Sequence, residues 1–196
     1  AAHMLELLAP AIVRGVIVLD GHNDLPDAIR ERGGLDSVNL SVGQPKLHTD
    51  LARMHAGGLT AQFWAAYVPV TTMDGPPGPK AYALEQIDLI HRLCAKYPGF
   101  AKALTAADVE RNFKSGYTSC LIGSEGGHAV EGSLANLKEF HDLGVRYITL
   151  THWRTTEWAD AATDFPRHHG LTEFGEDVVR EMNRVGIFVD ISHVSA

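Results

Sequence analysis

Short apolar segments alternate with amphipathic helical patterns along most of this 196-residue sequence. Most of the apolar segments are nearly continuous runs, as expected for parallel strands that are covered on both faces. The alternation predicts an α/β fold with a parallel sheet, which is either doubly wound or closed into a barrel. The predicted strands cover residues 16–20, 60–68, 118–123, 147–151 and 187–192.

Helical patterns occupy the intervals between these strands. The last of them follows Thr172, a favourable N-cap residue, and stops at Gly186, which can adopt the left-handed conformation that ends a helix. Shorter helices are predicted after Thr49 and after Thr105. The three longer predicted helices cover residues 80–97, 134–143 and 173–185.

Charge and composition exclude several classes of protein. The net charge of −7 argues against a nucleic-acid partner, because nucleic-acid binding requires a basic surface. No apolar run reaches the roughly 18 residues of a membrane span, and the first residues lack the features of a secretory signal. The two cysteines are too few for a disulfide framework and indicate a reducing compartment. We therefore expect a cytoplasmic protein.

The sequence shows no internal repeat and no domain linker. Residues 1–15 are assigned to an N-terminal segment, in which the three residues before Met4 have the character of a cloning remnant. Residues 16–196 are assigned to the N-terminal portion of a single catalytic domain.

Four of the five predicted strands are followed by a side chain that can bind a metal or transfer a proton. His22 and Asp24 follow the first strand, Glu125 the third, His152 the fourth and His193 the fifth. No glycine-rich phosphate loop follows the first strand, so the barrel is favoured over the doubly wound sheet. In a (β/α)8 barrel, the C-terminal ends of the strands form the active-site face.

The spacing of His22 and Asp24 indicates a shared cation, because residues two apart on a strand lie on the same face. Imidazole and carboxylate ligands together suit zinc or a similar divalent ion. Glu125 has two oxygens that can bridge two ions, and His193 can then bind the second. The surplus of histidines, 11 in all, is consistent with metal chemistry.

Five stretches together make the sequence similar to a known family. They read GHNDLPDAIRERGG, HTDLARMHAGGLTAQFWAAYVPV, IGSEGGHAV, LGVRYITLTH and LTEFGEDVVREMNRVGIFVDISHVS, and they run from about residue 16 to the last residue. In these stretches the sequence closely resembles the membrane (renal) dipeptidase family, peptidase family M19, in its bacterial branch. The pattern His-x-Asp at His22 and Asp24 separates this family from most related amidohydrolases, which carry His-x-His.

The resemblance implies a (β/α)8 barrel of the metal-dependent hydrolase type, of which this chain contains about the first five βα units. It implies that the complete protein binds two Zn²⁺ ions. His22 and Asp24 would bind the first ion and His193 the second, and Glu125 would bridge the two. It also implies hydrolysis of dipeptides, including those with a C-terminal D-residue, by a metal-bridging hydroxide that attacks the peptide carbonyl. By the same resemblance, His152 corresponds to the catalytic, substrate-facing histidine that polarises this carbonyl or stabilises the tetrahedral intermediate.

Several residues near this predicted site have other expected roles. Asp20 and Asp190 are candidates for holding metal ligands in position, the latter by orienting His193. His128 is assigned to a loop or to a position behind the ligands. Trp153, with Arg154 and Glu157, replaces residues that are usual in the family, so a changed preference for substrate side chains is expected.

The family places a further histidine ligand, a substrate-binding arginine and a catalytic aspartate beyond the position of Ala196. The expectation is therefore that more chain follows Ala196 and that residues 1–196 alone are inactive. Two alternatives stay open: a binuclear amidohydrolase acting on a cyclic amide or lactone, and an inactive metal-binding fragment. The expected partner is a dipeptide substrate, and a homodimer is left open.

Overall fold

The computed structural model describes residues 15–196 of the protein. The predicted N-terminal segment, apart from its last residue, lies outside this range. Within it the strands are β1 (Leu19–Asn23), β2 (Ala61–Tyr67), β3 (Phe100–Lys102), β4 (Thr118–Glu125), β5 (Val145–Thr149) and β6 (Phe188–Asp190). The α-helices are α1 (Leu25–Glu31), α2 (Leu51–Ala56), α3 (Pro79–Lys96), α4 (Ala106–Lys114), α5 (Leu134–Asp142) and α6 (Glu173–Val185).

The strands form one sheet in the order β1-β2-β4-β5-β6, and β3 pairs with β4 off this path. The β1–β2, β3–β4, β4–β5 and β5–β6 pairings are all parallel. The predicted α/β fold with a parallel sheet is confirmed. Of the helices in residues 15–196, none is long and apolar enough to cross a membrane.

The helix boundaries follow local signals in the sequence. The hydroxyl of Thr172 accepts a hydrogen bond from the N–H of Gly175, and Gly186 ends α6 with φ of 91°. Thr105 caps α4 in a capping box with Asp108, in which each side chain accepts from the other residue's N–H. The predicted starts of these two helices, and the predicted end of α6 at Gly186, are confirmed.

The chain divides into two compact units. Among the described residues, the first consists of residues 15–64 and Leu89–Leu121, and the second of Ala65–Asp88 and Ile122–Ala196. In the first unit, the fully buried indole of Trp64 donates to the sulfur of Cys120 at 3.2 Å and packs edge-on against Phe100. Cys120 is therefore a core residue.

The core of the second unit lies where α5 and α6 pack together. Leu137 and Phe140 of α5 and Val178 and Met182 of α6 are completely buried there, as is Ile148 of β5 at 1% exposure. Burial of side chains of this size contributes roughly 1.5–3 kcal/mol each to folding. This packing fixes the ends of β5 and β6, which carry part of the candidate site.

The predicted boundaries of the first strand, residues 16–20, are wrong. The strand runs from Leu19 to Asn23, and Val16 and Ile17 before it are exposed. The N–H and carbonyl of Val18 bond to Thr60 at the start of the pairing with β2. The apolar run therefore ends where the strand begins, and His22 lies within the strand rather than after it.

The other differences concern short strands. The predicted strand at 147–151 is shifted to Val145–Thr149, and the one at 187–192 is shortened to Phe188–Asp190. The Asp190 carboxylate accepts hydrogen bonds from the N–H and hydroxyl of Ser192, which turns the chain and ends β6. The three-residue β3 was not predicted, because its sequence has no strand periodicity and only its pairing with β4 defines it.

Candidate metal centre

Three potential metal ligands converge in the second unit. Glu125 is the last residue of β4, and its Oε1 lies 3.2 Å from Nε2 of His193 and 3.6 Å from Nε2 of His152. Each of the three residues offers one ligand atom, and these atoms all lie within 4.8 Å of one another. Glu125 and His152 are buried, whereas the His193 side chain is 35% exposed.

The parallel sheet produces this convergence. Glu125 is in register with Thr149 at the end of β5, and Thr149 with Asp190 at the end of β6. The C-terminal ends of the three strands therefore lie at one edge of the sheet. His152 and His193 each follow three residues after a strand end, so the loops beyond the strands carry them to Glu125.

The backbone around His193 is held by the loop that follows β5. Its carbonyl accepts hydrogen bonds from the hydroxyl of Thr151 at 2.8 Å and from the N–H of Ala162 at 2.9 Å. His193 adopts φ of 65°, a left-handed conformation that is uncommon for a residue other than glycine. These two bonds stabilise a conformation that turns the chain sharply after β6.

The imidazole of His152 is surrounded by three other rings. The Trp153 ring stacks on it nearly in parallel, at 4.8 Å between centroids, and Tyr67 and His193 approach edge-on at 5.0 and 4.6 Å. Aromatic pairs at such distances stabilise a defined orientation. His152 therefore has a fixed ring plane beside Glu125.

His22 and Asp24 form a pair in the first unit. Nε2 of His22 lies 3.0 Å from Oδ1 of Asp24, and their side chains are 37% and 62% exposed. Asp24 precedes α1 but does not cap it with its carboxylate. The predicted proximity of the two side chains is correct, although Asp24 lies one residue beyond the strand.

A polar network next to this pair fixes the end of β1. The Asn23 amide donates to the hydroxyl of Thr49 at 3.0 Å and to Oε1 of Gln62 at 3.2 Å. The Gln62 amide in turn donates to Oδ2 of Asp20 at 2.9 Å. Asp20 thus takes part in positioning the strand that carries His22, and neither Gln62 nor Asn23 was singled out from the sequence.

Asp190 has a different environment. Its Oδ2 accepts from the Thr149 hydroxyl at 2.6 Å, and its Oδ1 accepts from Ser192. The carboxylate therefore holds the ends of β5 and β6 together. Its proposed action on His193 stays a prediction.

The donor geometry fits a zinc-like ion. Two ligand atoms at about 2.1 Å from one cation, separated by 90–110°, lie roughly 3.0–3.4 Å apart. The His193–Glu125 distance of 3.2 Å and the His22–Asp24 distance of 3.0 Å match this range. The His152–Glu125 distance is 3.6 Å, and His152 belongs to the same cluster of possible ligand atoms. The ligand roles of these residues stay predictions.

Sequence reasoning missed the residue that organises the loop after β5. Burial alone would raise the pKa of Asp160, but its carboxylate accepts from the N–H groups of Arg167, Gly170 and His168, which lower the pKa to about 2. The carbonyl of Asp160 also accepts from Ser195 N–H, close to His193. The signal in the sequence was an aspartate followed by proline- and glycine-containing turns.

Comparison with known proteins places this chain in one family. The profile described as membrane dipeptidase, peptidase family M19, matches residues 8–196. Dipeptidase 3 of Mus musculus is 48% identical over 198 residues, which cover 95% of this chain and 38% of that protein. The chain therefore spans well under two thirds of the length of this relative.

Two solved structures are similar to the chain. One is described as the dipeptidase AC, a metallo peptidase of family M19, with a TM-score of 0.72 and 31% identity, covering 92% of this chain and 57% of that one. The other is a metallo peptidase from Rhodobacter sphaeroides liganded with a phosphinate mimic of the dipeptide L-Ala-D-Ala, with a TM-score of 0.71, 30% identity, and coverage of 92% and 59%.

These likenesses confirm the predicted fold class, the first part of a metal-dependent hydrolase barrel, and the predicted family. Placement in the bacterial branch stays a prediction. The chain belongs to the membrane dipeptidase family, peptidase family M19.

Proposed function

We propose that the protein to which this chain belongs is a metal-dependent dipeptidase. The observation that carries the proposal is the pairing of Glu125 and His193 at metal-ligand spacing, at the strand ends of a chain that belongs to a metallopeptidase family. A carboxylate and an imidazole held 3.2 Å apart by two different strand ends form a preorganised donor pair.

Zinc is the proposed ion, since imidazole and carboxylate together are typical zinc ligands. Glu125 and His193 would hold one ion, and His22 and Asp24 would hold the other. From the sequence pattern, we propose that Glu125 is shared between the two. A bound ion of this kind supplies Lewis-acid polarisation and lowers the pKa of water.

His152 is proposed to donate a hydrogen bond to the carbonyl oxygen of the scissile peptide. His152 is 6% exposed, and its imidazole is held in one plane by Trp153, Tyr67 and His193. A fixed donor in a site shielded from water stabilises the negative charge that develops on this oxygen during attack. The surrounding rings therefore position His152 and limit access of bulk water to it.

The proposed substrates are dipeptides, including those with a D-residue at the C-terminal position. Support comes from the Rhodobacter sphaeroides metallo peptidase, whose phosphinate ligand is a mimic of L-Ala-D-Ala. Trp153, which is 58% exposed beside His152, is proposed to contact the substrate side chain and to favour apolar ones.

The test is hydrolysis of L-Ala-D-Ala and L-Ala-L-Ala by the full-length protein, beside a five-membered cyclic amide. We expect cleavage of the dipeptides, loss of cleavage after chelation and recovery on addition of zinc. A Glu125→Gln variant should be inactive, whereas Glu110→Gln, a change of an exposed helical glutamate, should keep full activity. Cleavage of the cyclic amide alone, or activity that chelation does not reduce, would contradict the proposal.

A further inference from the structure

The side chain of Arg154 joins two loops of the second unit. Arg154 lies in the loop after β5, directly after His152 and Trp153, and its Nη1 donates to both carboxylate oxygens of Asp74 at 2.9 Å. The same nitrogen donates to the carbonyl of Val70 at 3.4 Å. Val70 and Asp74 are the first and last residues of a 3₁₀ helix in the loop after β2. One side chain therefore connects the loop after β2 to the loop that carries His152.

Other hydrogen bonds anchor the loop after β2 at its two ends. The N–H of Val68 donates to the carbonyl of Glu125 at 3.0 Å, and the N–H of Lys80 donates to the carboxylate of Glu131 at 2.9 Å. Both acceptors belong to the segment formed by the end of β4 and the turn after it. The bonds from Arg154 lie between these two anchors and attach the middle of the loop. Loss of the Arg154 side chain should therefore release the middle of this loop while both ends stay in place.

The backbone on either side of Arg154 is held within the loop after β5. The hydroxyl of Thr163 donates to the carbonyl of Trp153 at 3.0 Å, and the N–H of Thr155 donates to the carboxylate of Asp164 at 2.9 Å. These bonds fix the path of the main chain but do not involve the Trp153 ring. The direction of that ring therefore depends on what the neighbouring side chains contact.

Trp153 lies between two anchored residues. Its ring stacks on His152 at 4.8 Å between centroids, with 20° between the ring planes, although Trp153 is 58% exposed. Burial alone does not hold so exposed a ring in one orientation. His152 on one side is enclosed by aromatic rings, and Arg154 on the other side is fixed by Asp74. The ion pair therefore limits how far the chain at Trp153 can turn away from His152.

The exposure of the ion pair argues against a main role in folding. The side chains of Arg154 and Asp74 are 41% and 60% exposed. Ion pairs as exposed as this contribute little to global stability. The pair joins residues 80 positions apart in the sequence, and it lies next to the stacked rings of Trp153 and His152. This placement favours a local effect on the candidate site.

We propose that Arg154 is a positioning residue that determines selectivity for the substrate side chain. Its ion pair with Asp74 keeps Trp153 stacked on His152, which maintains an apolar surface where the substrate side chain is proposed to lie. Arg154 acts through Trp153 and does not touch the substrate. The effect on selectivity rests on the proposed dipeptidase function, whereas the effect on the position of Trp153 does not.

The first test measures the position of the ring without relying on activity. Nuclear magnetic resonance of the full-length, zinc-loaded protein follows the indole N–H signal of Trp153, which Trp153→Phe identifies. We expect this signal to shift in Arg154→Met and in Asp74→Asn. Arg154→Lys should retain the wild-type signal, because a single nitrogen of Arg154 makes all three contacts. An unchanged Trp153 signal in both Arg154→Met and Asp74→Asn would overturn the proposal.

The matched control breaks an exposed ion pair elsewhere. Arg184 pairs with Glu181 within α6, so Arg184→Met removes an arginine of similar exposure without touching either loop. The Trp153 signal should be the same in Arg184→Met as in wild type. An equal shift in Arg184→Met and Arg154→Met would mean that the signal reports a general loss of charge, and this result would also overturn the proposal.

The second test measures selectivity as the ratio of kcat/KM for L-Leu-D-Ala to kcat/KM for Gly-D-Ala. Loss of folded protein does not change this ratio, because both substrates report on the same active fraction. We expect the ratio to fall about two- to fivefold in Arg154→Met and in Asp74→Asn, the upper range for an exposed ion pair. The double variant should show no larger fall than either single variant, because all three lack the same pair.

The outcomes separate this proposal from the proposed function. Arg154→Lys and Arg184→Met should keep the wild-type ratio. An unchanged ratio in Arg154→Met, with a wild type that cleaves both dipeptides, would overturn the selectivity role and leave the dipeptidase function standing. No cleavage of either dipeptide by the wild type would overturn the proposed function together with the selectivity role, and the Trp153 signal would then decide the positioning role by itself.

Discussion

Nε2 of His193 lies 3.2 Å from Oε1 of Glu125, although Glu125 is the last residue of β4 and His193 follows the end of β6. The parallel register of β4, β5 and β6 brings those ends to one edge of the sheet. The bonds that Thr151 and Ala162 donate to the His193 carbonyl then hold the second residue in place. The approach of these two side chains therefore depends on the pairing of the strands and not on either residue alone.

His152 is expected to act in catalysis without holding the metal. Changing His152 to Ala should reduce turnover of L-Ala-D-Ala about 10²–10³-fold, the usual effect of removing one oxyanion donor. Metal content should stay at the wild-type level, because the proposed role of His152 is to donate a hydrogen bond to the substrate carbonyl while other side chains hold the ions. His55→Ala, which removes an exposed histidine of α2, should change neither quantity. Loss of an ion in His152→Ala would instead make His152 a ligand.

Gly127 should tolerate no side chain. A Cβ at this position would meet the backbone oxygen of Leu150 at 2.3 Å, which a rotamer change cannot relieve. Gly127→Ala should therefore lower the free energy of unfolding in urea by about 1–3 kcal/mol, the usual effect of overpacking. Gly99→Ala is the matched control, because nothing lies within 4 Å of a Cβ there. Similar unfolding curves for the two variants would contradict the described packing.

The Asp160 carboxylate should make stability depend on pH in the acid range. Burial opposes its ionisation, but three N–H donors lower its pKa in the folded state to about 2, from the ordinary 3.8. Its stabilising contribution is therefore complete above about pH 4 and is lost as the pH falls towards 2. Asp160→Asn should lower the melting temperature by roughly 5 °C at pH 7.

The pH series supplies the control for this prediction. The difference in melting temperature between wild type and Asp160→Asn should narrow as the pH is lowered from 4 to 2. The exposed Asp36→Asn variant should follow the wild type at every pH. A difference that stays constant between pH 7 and pH 2 would mean that ionisation of Asp160 does not stabilise the fold.

Sequence patterns predicted the helices and strands whose boundaries are set by residues close by in the chain. The helices capped by Thr105 and Thr172 have strong signals within a few residues, and the glutamate at the end of β4 follows a long apolar run. The boundaries of β1 and the existence of β3 depend on pairing with distant strands, so a single sequence could not fix them. The convergence of Glu125 with His193 followed from the barrel prediction rather than from spacing in the chain.

The sequence contained no recognisable signal for other parts of the candidate site. Trp153 was noted as unusual, but its stacking on His152 depends on how the loop after β5 folds. That loop is organised by Asp160, whose three N–H partners lie seven to ten positions later. Hydrogen bonds between a side chain and a distant irregular backbone follow no period, so patterns of hydrophobicity cannot reveal them.

The central claim is that Glu125 holds metal in the site. Elemental analysis of the purified full-length protein, wild type beside Glu125→Ala and the matched exposed change Glu110→Ala, tests it most directly. We predict two zinc ions per chain in wild type and in Glu110→Ala, and the loss of at least one ion together with dipeptidase activity in Glu125→Ala. Two ions retained in Glu125→Ala with normal activity would contradict the account.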